Sequence, residues 1–399
     1  MIYLLGDVWS LNHPIEISIP KLNQSEITVI ANLETPVANS AIPPRPKAGP
    51  AIKGEAVTLL TLKENIPSLY FVLANNHIMD YGEAGLIDTE QACKENNIYT
   101  IGAGLNIHLA RKAKIIEINS YKIGILSRCE TQYGSASSSR SGVATLDPTI
   151  YPEIVKLKKE VDFILVSIHL ASEMSPWPSP YCQDLYRSFI DVGADIVHGH
   201  HSHIPQGYEH YNEGVIFYGL GNFCVNPTAW SNYANTLWSL MPEIVLDNGQ
   251  LSTTINTVVI EKEKDAVHIR ESLASELLTH QKYIQKCNYP LNNRNLLTGL
   301  WQENSIRLFN NHYASWLGFE INKQDGKKPS KKILKRISDA IKDKQNPPLD
   351  QSQLLLRYHL FACESHCQAI STALGVLSGE LEDLRTKETR DLADELIQL

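Results

Sequence analysis

The chain has 399 residues, 43% hydrophobic and 20% charged, with 36 Lys plus Arg against 44 Asp plus Glu and a formal net charge of −8. That apolar fraction fills a substantial core and excludes wholesale disorder, and the length suits two domains. The acidic balance excludes a generic nucleic-acid or anionic-membrane binder, which is normally basic; no apolar run approaches the ~18–20 residues of a membrane span, and without a basic, then apolar, leader the expected location is the cytoplasm.

From the N-terminus, short apolar runs predict strands at Ile2–Leu5, Ile27–Ala31, Leu69–Ala74, Lys114–Ile118, Lys122–Leu126, Phe163–Ile168, Ile196–His198 and Val215–Tyr218. Helical spacing at Gly85–Asn96 and Tyr181–Val192 between them predicts an α/β domain with much parallel sheet. Residues 39–50 (NSAIPPRPKAGP) and Ser135–Ser141 (SASSSRS) read as loops. Leu237–Leu246, Leu251–Glu261 and Ala266–Arg270 alternate, with turn residues such as Asp247-Asn248-Gly249 between them, and predict an antiparallel meander.

Beyond about residue 275 the β-like periodicity stops. Ser275–Lys286, Leu296–Leu317, Lys331–Lys344 and the stretch from Gln351 onward predict helices, broken at Gln324-Asp325-Gly326 and Asn346-Pro347-Pro348. The expected division is therefore an α/β domain over 1–275 and a helical domain over 276–399. The run Lys327, Lys328, Lys331, Lys332, Lys335 and Arg336 reads as a solvated helix face, with a patch for an anionic partner as the alternative. Seven cysteines, an odd number without two close pairs, read as reduced thiols rather than a zinc finger.

Five predicted strands run into residues able to bind a metal: Asp7, then Asn32-Leu33-Glu34, Asn75-Asn76-His77, His169, and His198-Gly199-His200-His201-Ser202-His203. In open α/β sheets, ligands bind beyond the carboxyl ends of the strands, so these side chains are expected to converge. Carboxylate, amide oxygen and neutral imidazole together suit a divalent transition metal such as Mn, Zn, Fe or Ni, whereas calcium wants mostly oxygen and structural zinc mostly thiolate. On the substrate side, Arg128 and Arg140 in loops after a strand are candidates for pairing with a phosphate or carboxylate.

The segments Gly6-Asp7-Val8, Asn32-Leu33-Glu34-Thr35-Pro36, Ala74-Asn75-Asn76-His77-Ile78-Met79-Asp80-Tyr81-Gly82, Gly102-Ala103-Gly104, His169 with Glu173, Gly199-His200-His201-Ser202-His203 and Tyr218-Gly219-Leu220-Gly221-Asn222-Phe223 occur in this order. In this the chain resembles the CapA-type proteins of poly-gamma-glutamate capsule biosynthesis, which have a metallophosphoesterase-like fold. The resemblance implies a four-layer α+β sandwich, two mixed sheets flanked by helices, with one or two metals at the sheet edges. It implies Asp7, Glu34, Asn76, His169, His201 and His203 as ligands, with His200 as an alternative, and His77 as general acid oriented by Asp80. Glu173 and Asn222 join Arg128 and Arg140 as substrate-side candidates. Metallophosphoesterases proper carry His two residues after the first Asp. Trp9 stands there in this chain, which leaves one metal position weak or differently ligated.

The implied activity is metal-dependent hydrolysis of an anionic small molecule or polymer in capsule or surface-polysaccharide metabolism. The alternatives are an amidase, peptidase or transferase on gamma-glutamyl bonds, and a non-catalytic polymer-binding subunit that docks in a biosynthetic complex through its helical C-terminus.

Overall fold

The computed structural model describes residues 1–39, 41–319 and 350–397. The apolar runs assemble into two mixed sheets. In the first, the order is Ile15–Ser18, Ala266–Glu271, Gln250–Glu263, Trp238–Asp247, Ile2–Val8, Thr28–Leu33, Leu69–Val72 and Tyr99–Ile101, with Asn222–Cys224 also paired to Ile2–Val8. The second runs Tyr208–Tyr211, Gly214–Phe217, Ile196–His200, Phe163–His169, Tyr121–Cys129 and Lys114–Ile118. The strands at the heart of each sheet are parallel, and the Trp238–Glu271 stretch forms the antiparallel meander that its alternation predicts.

Alternation along each strand decides what packs where, because successive side chains point to opposite faces. Ile2, Leu4 and Ile30 meet Ile123, Ile125, Phe163 and Leu165 between the sheets. Their neighbours Tyr3, Leu5, Val29 and Ala31 cluster with Leu59 and Leu62 of helix Ala56–Asn65 and Leu86 of helix Gly82–Glu95. On the second sheet, Leu126, Ile164, Val166 and Ile168 cluster with Ile154 of helix Ile150–Leu157 and with Tyr186 and Phe189 of helix Pro180–Asp191.

The helical stretch contains Ala274–Asn288, Arg294–Leu308, a π-helical segment Phe309–Tyr313 and the short Ala314–Trp316. From Gln351 the single expected helix is three: Gln351–Ala362, Glu364–Ser378 and Lys387–Leu396. Extended backbone at Cys363 makes the first break, and Gly379, left-handed at φ 82°, makes the second. Tyr283, Leu297, Leu300, Ala393 and Leu396 join the cluster between the sheets, so this stretch shares core with the strands. The expected Lys331–Lys344 helix, the Lys327–Arg336 basic run and the two breaks around them lie outside the described residues. The seven cysteines are free. Among the described residues no helix is long and apolar enough to cross a membrane.

Candidate metal centre

Sheet register brings polar strand ends side by side. Asp7 pairs with Asn32 on one side and Asn222 on the other, and His169 pairs with His200. A side chain at Gly6 would put its Cβ 1.8 Å from the Gly221 carbonyl oxygen, so only glycine lets the Gly221-Asn222 segment close on Asp7. After Val72 the chain leaves the sheet in a tight turn, with Asn75 N–H donating to the Leu73 carbonyl at 2.9 Å. Asn75 Oδ1 then accepts the N–H groups of His77 and Ile78 at 3.1 and 2.8 Å, which aims Asn76 and His77 at the strand ends. His201 and His203 both hold positive φ, 82° and 57°, an uncommon conformation for non-glycine residues.

These elements bring together Asp7, Glu34, Asn76, His169, His200, His201 and His203, all of them buried. Asp7 Oδ1 accepts from Asn32 Nδ2 at 2.8 Å and lies 3.1 Å from His200 Nδ1, while its Oδ2 is 3.4 Å from His203 Nδ1. Asn76 Oδ1 is 3.0 Å from His169 Nε2. Glu34 Oε2 accepts from the Trp9 indole at 2.8 Å, but Oε1 is buried without a hydrogen bond, 3.6 Å from His169 Nε2 and 3.7 Å from His203 Nε2. Two donors ~2.0–2.1 Å from a common tetrahedral ion sit roughly 3.4 Å apart, so this spacing is long for a hydrogen bond and near that of ligands sharing a cation. His200 Nε2 and His201 Nδ1 are likewise buried and unpartnered. Three overlapping groups offer ligand atoms within 4.8 Å of one another: Glu34, His169 and His201; Asp7, Glu34 and His203; and Glu173, His201 and His203. Leaving such polar atoms unsatisfied is costly, and a divalent cation at these groups would answer Glu34 Oε1 and the imidazoles beside it, so the donor set fits a borderline transition metal.

The electrostatics point the same way. Burial works to raise the Asp7 carboxyl, yet the bonds from His200 and His203 hold it well below the ordinary carboxylate range. Burial and then the neighbouring His201 push His169 well down, which keeps its imidazole neutral with a lone pair to give. His203 goes the other way: burial lowers it, but the Glu34 charge and the Asp7 bond together raise it to about 10. Positive charge is therefore demanded where Asp7 and Glu34 meet.

His77 sits beside the cluster, its Nδ1 2.7 Å from Asp80 Oδ2. Asp80 also accepts from Lys47 Nζ at 2.6 Å and from the Ile52 N–H at 2.9 Å. The loop over residues 39–50 thus supplies a cation, Lys47, that composition alone did not single out. Glu173 is 54% exposed, with Oε1 4.0 Å from His201 Nδ1, so it faces the centre from the solvent side. Asn222, expected on the substrate side, is buried instead and orients the centre: its Oδ1 is 3.1 Å from His203 Nδ1 and its Nδ2 donates to the Thr236 carbonyl at 3.1 Å.

Two expected substrate residues are not brought there. Arg128 shares the strand parity of Leu126, which packs against the helices, so its guanidinium points away from the other sheet, is buried and pairs with Glu153. Arg140 is exposed and donates from Nε and a terminal nitrogen to the Ser135 carbonyl, at 3.3 and 3.1 Å. Glu130, overlooked in the sequence, lies fully buried with Oε1 3.3 Å from His201 Nε2. It follows the Tyr121–Cys129 strand directly, so the same strand-end rule that found Asp7 would have found it. Burial works to raise its carboxyl, but the His201 hydrogen bond and charge, with the Ser365 N–H and the His366 charge, together bring it down to about 2.

Fold and centre define a class: a mixed α/β protein whose strand ends gather buried carboxylates and imidazoles able to hold a cation. The family model described as "Bacterial capsule synthesis protein PGA_cap" matches residues 6–227, and the chain belongs to that family of CapA-type poly-gamma-glutamate capsule proteins. It is similar to the capsule biosynthesis protein CapA of Bacillus anthracis, 31% identical over 184 residues that cover 44% of each chain. It is also similar to the PGA biosynthesis protein CapA of Bacillus subtilis (strain 168), 36% identical over 177 residues that cover 42% of this chain and 47% of that one. The match thus spans somewhat less than half the length of these relatives. A 5'-nucleotidase structure from Candida albicans SC5314 aligns at 12% identity and TM-score 0.39, over 73% of this chain and 58% of that one, a likeness too low to support an argument.

Proposed function

We propose that the protein is a metal-dependent hydrolase of the phosphoesterase type, acting on an anionic substrate in capsule or related surface-polymer metabolism. Its architecture in this reading is a four-layer sandwich over 1–275, supported by two mixed sheets with helices packed on them, and a second, helical unit after it, described over 276–319 and 350–397. One observation carries the reading: Glu34 Oε1, buried and unpartnered, faces two imidazole nitrogens at 3.6 and 3.7 Å. Asp7, Glu34, Asn76, His169, His201 and His203 would hold the ion, with His200 bracing Asp7. When bound, the ion supplies Lewis acidity, which lowers the pKa of water and polarises a phosphoryl or carbonyl oxygen. Trp9 occupies Glu34 Oε2, which favours a single ion at this carboxylate over a bridged pair.

The remaining chemistry belongs to the chain. Asp80 holds His77 Nδ1, so that His77, when protonated, presents its other N–H to a leaving group as a general acid. Lys47, beside both, offers positive charge to an anionic substrate as well as to Asp80. One relative is named a PGA biosynthesis protein, and because the poly-gamma-glutamate of this family is joined by amides, the same centre suits a gamma-glutamyl amide; this is the second reading.

Elemental analysis of the purified chain, with turnover of an aryl phosphate and of a gamma-glutamyl amide, tests both. The expected result is transition metal near one ion per chain, with metal and turnover both lost in His169→Ala. Turnover that survives chelation refutes the reading. Metal bound with neither substrate cleaved transfers the assignment to a non-catalytic polymer-binding subunit.

A further inference from the structure

Glu130 is a buried carboxylate whose only paired positive partner among the described residues is a histidine. Its Oε1 faces His201 Nε2 at 3.3 Å and accepts from Gln132 Nε2 at 2.9 Å and Ser365 Oγ at 3.1 Å, while Oε2 accepts the Ser365 backbone N–H at 2.9 Å. With Nε2 turned to Glu130, the unpartnered Nδ1 is the His201 atom left to face a cation. Ser365 lies in the first turn of helix Glu364–Ser378, where backbone N–H groups lack intrahelical partners and a carboxylate is favoured. The same turn grips the next residue, since Glu364 accepts from the Thr131 N–H at 2.6 Å and the Thr131 hydroxyl at 2.8 Å. A carboxylate sunk this deep needs compensating charge, and an imidazole bound to a metal provides it.

We propose that Glu130 is a positioning residue that fixes the tautomer and orientation of His201, and that Ser365 holds Glu130 in place, making the C-terminal helix Glu364–Ser378 part of the metal centre. This rests on the metal reading above and adds to it a dependence on a distant helix. Carboxylate partners of metal-bound imidazoles typically set metal affinity by about 10–100-fold. The dependence should therefore show in binding before any turnover is measured.

The test is calorimetric titration of the chelator-stripped full chain with Zn²⁺, for the wild type, Glu130→Ala, Glu130→Gln and Ser365→Ala, with folding checked by circular dichroism. Glu130→Ala should weaken binding toward the upper end of about 10–100-fold, and Glu130→Gln, which keeps an acceptor but loses the charge, toward the lower end. Ser365→Ala, which keeps the backbone donor, should lose less in the same direction. Nitrogen-15 spectra of the His201 ring should show the proton on Nε2 in the wild type and a mixture of tautomers in the Glu130 variants. Wild-type affinity in a folded Glu130→Gln or Glu130→Ala overturns the proposal while the metal reading stands. A wild type that binds no Zn²⁺, like His169→Ala, overturns both.

Discussion

Loading the centre with a cation should expel a proton. His203 is lowered by burial but raised further by Glu34 and Asp7, to about 10, so near neutral pH the ion must displace the proton it carries. His201 is lowered by burial but shifts upward on balance, because the Glu130 bond and the charges of Glu173 and Glu130 together outweigh it. The His203 proton alone makes the apparent affinity rise about tenfold per pH unit from near pH 7 to about 10, where its contribution levels off, and any proton displaced from His201 steepens the lower part of that rise. Between about pH 7 and 9 the release from His203 should approach one proton per chain. The sign for stability follows from the same shift. A raised imidazole stabilises the fold fully below its ordinary value of ~6.5 and loses that contribution as pH climbs through about 10. The chelated protein should therefore soften with rising pH across that window, and saturating Mn²⁺ should abolish the trend. Calorimetry in buffers of different ionisation enthalpy counts the protons, and urea titrations at several pH values follow stability. Tight binding with no net proton release and an affinity flat in pH would refute the reasoning.

Other residues give separable outcomes. His77→Ala should reduce turnover by ~10²–10⁴-fold while leaving metal content unchanged by elemental analysis, with Asp80→Asn falling short of that loss. Trp9→Phe removes the only hydrogen-bond donor seen on Glu34 Oε2 among the described residues and should cost about 1–3 kcal/mol in urea unfolding, with weaker metal binding. Asn32→Ala removes the 2.8 Å donor to Asp7, which keeps His200, and the 3.0 Å acceptor of Asn75 Nδ2, which keeps the Leu33 carbonyl, and should destabilise the fold by about 1–3 kcal/mol in all.

Much of the centre was legible from local pattern. Apolar runs ending in Asp7, Asn32, Asn75-Asn76-His77, His169 and the His198–His203 cluster marked strand ends; parallel order aligns the first three in one sheet and the last two in the other, and the packing of the two sheets brings both sets together. Arg128 shows where that reasoning stops. In a run apolar on both faces, as Ile123–Leu126 is, sequence does not tell which parity faces the other sheet, and Arg128 turned out on the helix side. Asn222 was found by its motif yet bonds His203 and the Thr236 carbonyl, a use that depends on Gly6 and Gly221 letting two backbones nearly touch.

Periodicity, turn residues and the chemistry of strand ends act within a few residues, so the chain's linear pattern was enough for its strands, its meander and most residues of the centre. Packing alone made Trp9 a partner of Glu34, sent Arg128 to the helices, and set Ser365 against Glu130, 235 positions away in the chain. Such contacts follow from how sheets and helices exclude water together, and no short-range spacing encodes them.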